Sequence, residues 1–230
     1  MKLTAAEYRD IAKDSLRGNW GKAVAATLLA AGFGAFCTSA HFIVLFLVGM
    51  GVSMAVFEGI PHFFLWILLG GTALALFYFF VGGTARFGFI DFNLALLDRR
   101  EASPAMVVRH LGQMWRAVYM KLALFSCEFF LTLLFVVPGV IAIHSYAMVP
   151  YILEEKPEYS VGKAMRMSKK IMRGNRWQLF CLRVSFLGWY LLGILSLGLG
   201  FFYMLPYLHA SEAVFYNEIS GRADAYYGRK

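Results

Sequence analysis

The chain has 230 residues, of which 60% are apolar, 17% are aromatic and only 16% are charged. Soluble domains average about 25% charged residues, so this composition excludes an ordinary soluble protein and indicates an all-α protein of the lipid bilayer. The net charge is +8, and the basic residues border apolar segments. We therefore expect anionic lipid head groups, and not nucleic acid, to be their partner.

A short amphipathic helix is predicted at the start of the chain. Thr4 and Glu7 have the spacing of a capping box, and apolar residues recur at helical spacing from Tyr8 to Leu16. Gly18 follows as a stop, and Trp20 lies where the chain would enter the membrane. Because this region contains three acids and no continuous apolar core, we expect no secretory signal peptide here.

Four apolar runs follow, at residues 23–48, 63–81, 122–153 and 184–214. A spanning helix needs roughly 20 apolar residues, so each of the last two runs is predicted to be a hairpin. Turn chemistry at Val137, Pro138 and Gly139 and in the SLGLG sequence at 196–200 divides them. The second run is expected to continue as a helix to near Arg100. The prediction is a polytopic membrane bundle of about six spans in three hairpins, each preceded by a cytoplasmic amphipathic helix.

The distribution of positive charge predicts the orientation. The turns at 49–62, 136–140 and 196–200 contain none of the 22 Lys and Arg residues. By the positive-inside rule those turns face away from the cytoplasm. The prediction is a multi-pass protein of the cell membrane with both termini in the cytoplasm.

A sequence pattern recurs three times in what we expect to be a single membrane domain, residues 1–230. RGNW at 17–20, GQMW at 112–115 and RGNRW at 173–177 each precede an apolar run. The repeat-like units are about 1–102, 103–156 and 157–220, with a tail at 221–230. The alternative is that Arg and Trp simply border any span. The predicted interfacial anchors are Trp20, Trp115 and Trp177.

The clearest copy of the unit is the basic segment at residues 160–180. Apolar and basic residues alternate at helical spacing, which is typical of a helix lying on a membrane surface. Its cationic face predicts contact with anionic lipid. That face consists of Lys163, Arg166, Lys169, Lys170 and Arg173.

Ionisable residues inside apolar runs suggest two polar clusters, because such residues are costly in a membrane. Glu128 and His144 lie eight residues before and after a turn at about 136, so they form a candidate intramembrane pair for a proton or cation; a pair that only locks the hairpin is the alternative. The second group, at the cytoplasmic mouth, would be a structural ion pair or a substrate site. It consists of Asp91, Arg183, His209 and Glu212.

No catalytic, cofactor or metal site is predicted. Cys37, Cys127 and Cys181 are isolated and lie in or beside apolar runs, which is typical of small apolar fillers. The chain has no nucleophilic triad, no phosphate-binding glycine loop and no CxxC motif.

Three blocks carry a resemblance to a known family. RGNWGKA, MSKKIMRGNRWQLFCLRVSFLGWYLLGILSLGLGF and LPYLHASEAVFYNEI are similar to a bacterial integral membrane family known as domain of unknown function 975. The resemblance covers nearly the whole chain and implies a cytoplasmic membrane, typically of a Gram-positive cell. A more distant similarity is to the membrane portion of some glycerophosphodiester phosphodiesterases, whose catalytic domain has no counterpart here. Neither resemblance implies an activity.

Three hypotheses about function follow. The first is a non-enzymatic protein that organises lipid or protein partners through its basic helices, and the sequence leaves open whether a second copy of the chain is such a partner. The second is a small transporter or channel that uses Glu128 and His144. The third is an intramembrane enzyme acting on lipid with the cytoplasmic-mouth cluster.

Overall fold

The computed structural model describes residues 3–36, 61–134 and 136–222. In this part of the chain all regular structure is helical, which confirms the predicted all-α class. Residues 37–48 of the predicted first span, residues 49–60 of the predicted turn, Cys37 and most of the C-terminal tail lie outside the described residues. Within the described ranges, one segment, Arg176–Leu195, is long and apolar enough to cross a membrane.

The first three helices are α1 (Ala5–Leu16), α2 (Trp20–Gly32) and α3 (Pro61–Leu97). The capping box at the start of α1 is present: the Thr4 hydroxyl accepts from the Glu7 amide, and the Glu7 carboxylate accepts from the Thr4 amide. Helix α3 has 37 residues, as the extended second run predicts. At 1.5 Å per residue it is about 55 Å long and exceeds the roughly 30 Å hydrocarbon core of a bilayer.

The two helices of the middle hairpin differ in length. After α4 (Met106–Arg109) and a 3₁₀ turn (His110–Gln113), α5 runs over Met114–Leu134 and α6 over Val136–Tyr146, and these two helices pack against each other. Pro138 lies in the first turn of α6, where its missing N–H is tolerated, so the sequence predicted as the turn begins the second arm instead. Helix α6 is only about 17 Å long, well short of a hydrocarbon core.

The last part of the chain contains the basic helix and the final hairpin. The turn at 196–200 lies where the sequence places it, and the helices on its two sides pack together. The helices are α7 (Val149–Glu155), α8 (Val161–Ile171), α9 (Arg176–Val184), α10 (Leu187–Leu195) and α11 (Phe201–Ile219).

The tightly packed core lies where α1, the second half of α3, α7 and the second half of α11 meet. Tyr8, Ala12 and Leu16 of α1 are fully buried there, with the Tyr8 ring edge-on to Phe215 of α11. The apolar face of α1 is therefore covered by protein. The sequence pattern correctly indicates which face is apolar, and in the folded chain this face packs on protein.

Candidate lipid-binding surface and buried polar clusters

Helix α8 is held by a cap and by its buried face. The Ser160 hydroxyl accepts a hydrogen bond from the Lys163 amide at the N-terminus of the helix. Val161, Ala164 and Ser168 are buried, and the Ser168 hydroxyl donates to the Ser145 carbonyl of α6 at 2.7 Å. The inner face of α8 therefore packs on protein, like that of α1.

The opposite face of α8 is cationic and exposed. Lys163 lies over the Tyr159 ring, with its ammonium 3.7 Å from the ring centroid. The loop that carries Tyr159 is fixed by Arg116, whose guanidinium donates to the Tyr159 and Lys156 carbonyls. None of the five predicted lipid contacts forms an ion pair within the described part of the chain. All five are exposed: Lys163, Arg166, Lys169, Lys170 and Arg173.

An apolar stripe begins directly after these cations and follows α9 and α10. Trp177 is 73% exposed and stacks on Phe180. On α9 the exposed apolar residues, Trp177, Phe180 and Val184, recur every three or four positions and lie on one side of the helix. On α10 every residue except Gly193 is exposed, and the stripe continues there through Leu187, Leu191 and Leu195.

A second exposed stripe follows α5 from Trp115, which is 75% exposed, through Tyr119 and Leu122 to Phe130. Two of the three predicted anchors, Trp115 and Trp177, are therefore each the first residue of an exposed apolar stripe. Trp20 differs, because it is half-buried and its ring lies against Tyr203 and Tyr207 of α11.

Three of the four residues predicted at the cytoplasmic mouth come together. The Arg183 Nε donates to Glu212 Oε1 at 2.9 Å, and His209 Nδ1 lies 3.3 Å from the other carboxylate oxygen. The His209 ring also stacks on Phe36, with 4.6 Å between ring centroids. Glu212 is buried, so this cluster ties α9 to α11 through a partly desolvated ion pair.

The fourth residue, Asp91, belongs to a different cluster. His110 Nε2 lies 2.9 Å from Glu154 Oε1, and Asp91 completes a group whose nearest ligand atoms all lie within 4.8 Å of one another. The hydrogen bond to Glu154 raises the pKa of His110, although burial acts in the opposite direction. His110 Nδ1 is buried and has no hydrogen bond of good geometry among the described residues.

The candidate pair Glu128 and His144 is not joined by any hydrogen bond or ion pair of the described residues. His144 Nδ1 pairs with the Val140 carbonyl at 2.9 Å, and its ring lies near Phe180. Glu128 lies within electrostatic reach of Arg86 on α3.

Comparison with known protein families shows to which family this chain belongs. The family model described as "Protein of unknown function (DUF975)" matches residues 35–223. The chain belongs to this family. No curated protein and no solved structure matches the chain. The resemblance inferred from the sequence is thus confirmed, and the family description names no activity.

The sequence did not predict that His110 and Glu154 form a pair. They are 44 positions apart and lie in a 3₁₀ turn and a short helix, where no periodicity relates them. The sequence offers only a weak signal: Glu154 directly follows the apolar residues Tyr151 to Leu153, so its charge would need a partner if this run were buried.

Proposed function

We propose that the protein is an integral membrane protein without enzymatic activity. Its helix α8 would bind anionic phospholipid and concentrate it at the cytoplasmic leaflet. The observation that carries this proposal is the direct succession of the exposed cationic face of α8 and the exposed apolar stripe of α9 and α10. Cations at head-group level and apolar residues at acyl-chain level are what a bilayer surface requires.

The length of the stripe supports this arrangement. Trp177 and Leu195 are 18 residues apart, which corresponds to about 27 Å along a helix. The hydrocarbon core of a bilayer is about 30 Å thick. With Trp177 at the interface, the stripe would cross the core, and Arg173 and Lys170 would lie among the phosphates.

The packing of α8 supports a fixed binding platform. Because the inner face of α8 is buried against its neighbours, the cations would not depend on the insertion of the helix into lipid. A basic residue near an anionic surface contributes about 1 kcal/mol. Five preorganised cations would thus concentrate anionic lipid beside the protein, in a multi-pass topology with both termini cytoplasmic.

Neutralising α8 should weaken the binding of anionic lipid. In the variant Lys163→Gln, Arg166→Gln, Lys169→Gln and Lys170→Gln, we expect at least a tenfold weaker affinity for phosphatidylglycerol, measured by titration of the detergent-solubilised protein and by mass spectrometry of co-purified lipid. The effect should shrink at high salt, because salt screens exposed charges. Affinity for phosphatidylcholine should not change.

The matched control keeps the charge. Lys163→Arg, Lys169→Arg and Lys170→Arg, with Arg166 unchanged, should bind phosphatidylglycerol as the wild type does. Both Gln and Arg are good helix formers, so α8 should be retained in each variant. Equal phosphatidylglycerol affinity in the Gln variant and in the wild type would refute the proposed role of α8.

An arginine within the stripe should oppose membrane insertion. Leu191→Arg places a charge at the proposed depth of the acyl chains, at a cost of about 2.5 to 3.5 kcal/mol on insertion scales. We expect a clear fall in the carbonate-resistant membrane fraction. Leu197→Arg, in the 196–200 turn, is the depth control and should have little effect. If the stripe faced water, neither variant would change this fraction.

A further inference from the structure

We propose that Asp91, His110 and Glu154 form a binding site for a divalent first-row transition metal ion, with Zn²⁺ the best fit. The three residues come from α3, the 3₁₀ turn and α7, and their nearest ligand atoms all lie within 4.8 Å of one another. This site would be separate from the lipid-binding face of α8. It does not depend on the proposed function.

The distances are close to those of a coordinated ion. In a tetrahedral site, ligand atoms at about 2.0 to 2.2 Å from Zn²⁺ lie about 3.3 to 3.6 Å from one another, so side-chain rotations would have to draw the group together by about 1 Å. His110 Nε2 and Glu154 Oε1 are already 2.9 Å apart. A neutral imidazole and a carboxylate are the forms that bind metal, so this pair supplies two ligands of a site.

The charges of the group favour a cation. Asp91 makes no hydrogen bond or ion pair with the other described residues, although it is half-buried. His110 and Glu154 are also largely buried, with side chains only 12% and 11% exposed. Two carboxylates beside one neutral imidazole carry a formal charge of −2, which a bound divalent cation would balance.

The donor set indicates the class of ion. An imidazole nitrogen with two carboxylates suits Zn²⁺ and Mn²⁺, whereas an all-oxygen set would favour Mg²⁺ or Ca²⁺ and thiolates would favour Cu⁺. Three protein ligands leave a fourth tetrahedral position for water or another ligand. The bound ion would link three elements of the packed core and so stabilise the folded state.

The test uses the full chain in detergent after treatment with a chelator. Zn²⁺ should bind the wild type in a calorimetric titration and raise its Tm, whereas Mg²⁺ at the same concentration should do neither. In Asp91→Asn, which leaves the His110–Glu154 pair intact, Zn²⁺ affinity should fall at least tenfold. Glu158→Gln removes an exposed acid four residues from Glu154 and should bind Zn²⁺ normally.

A spectroscopic measurement on the wild type avoids any dependence on variant folding. Co²⁺ at the site should give visible absorption bands that Zn²⁺ displaces, without strong near-ultraviolet thiolate bands. Thiolate bands would place the ion at a cysteine and overturn the assignment. Equal Zn²⁺ affinity in Asp91→Asn and wild type, or no binding of Zn²⁺ to the wild type, would overturn it as well.

Discussion

Replacing Glu212 by leucine should lower the free energy of unfolding by about 3 kcal/mol, at the low end of the range for one-sided loss of a buried ion pair. Glu212 is buried and holds the Arg183 guanidinium at 2.9 Å, so its removal leaves a largely desolvated cation without its carboxylate. The low end applies because the Arg183 side chain is 35% exposed and retains some solvation. Thermal unfolding in detergent measures the change.

Two comparisons isolate the unpaired charge as the cause. Arg183→Met combined with Glu212→Leu removes both charges and should recover most of the lost stability, as buried pairs replaced by apolar residues often do. Asp14→Asn breaks the exposed pair with Arg17 and should change stability by less than about 1 kcal/mol. If the double variant were no more stable than Glu212→Leu, an unpaired charge would not be the cause.

The sequence predicts this ion pair because two helices flank a short turn. Arg183 and Glu212 lie 15 residues before and 14 residues after residue 198, and antiparallel arms place equal counts at equal depth. Equal distance from a turn does not produce a hydrogen bond or ion pair between Glu128 and His144. Similar depth does not determine the direction of a side chain around its helix axis. His144 pairs with the Val140 carbonyl, while Glu128 lies within electrostatic reach of Arg86.

Periodicity also identifies an apolar face without identifying what covers it. The pattern of α1 and that of α8 are typical of helices on a membrane surface. In the folded chain, Tyr8 and Leu16 pack on protein, and so do Val161 and Ala164. Lipid and protein interiors are similarly apolar, so only the tertiary arrangement distinguishes them. In our proposal, lipid contacts the exposed stripe that starts at Trp177.

Close backbone contact between α3 and α4 is a feature that no sequence pattern revealed, and it gives the second large prediction. Gly88→Val should destabilise the protein by about 3 kcal/mol or more, at or above the usual cost of overpacking. A Cβ at Gly88 would lie 2.2 Å from the Met106 carbonyl oxygen and 2.7 Å from the Val107 Cα. These are backbone atoms of buried residues, so no rotamer change relieves the clash.

Gly162→Ala is the matched control for Gly88. Nothing lies within 4 Å of its added Cβ, so alanine in α8 should be neutral or stabilise by about 0.5 kcal/mol. At Gly88 the same helical preference for alanine is opposed by the clash, so Gly88→Ala should lower Tm and Gly88→Val should lower it further. Equal Tm values for Gly88→Ala and Gly162→Ala would show that α4 can move away from α3 at little cost.

Asp91 lies one turn after Gly88 on α3, and His110 follows α4 directly. A rigid contact at Gly88 therefore fixes the spacing between these two proposed zinc ligands, and Gly88→Ala should weaken Zn²⁺ binding as well as stability.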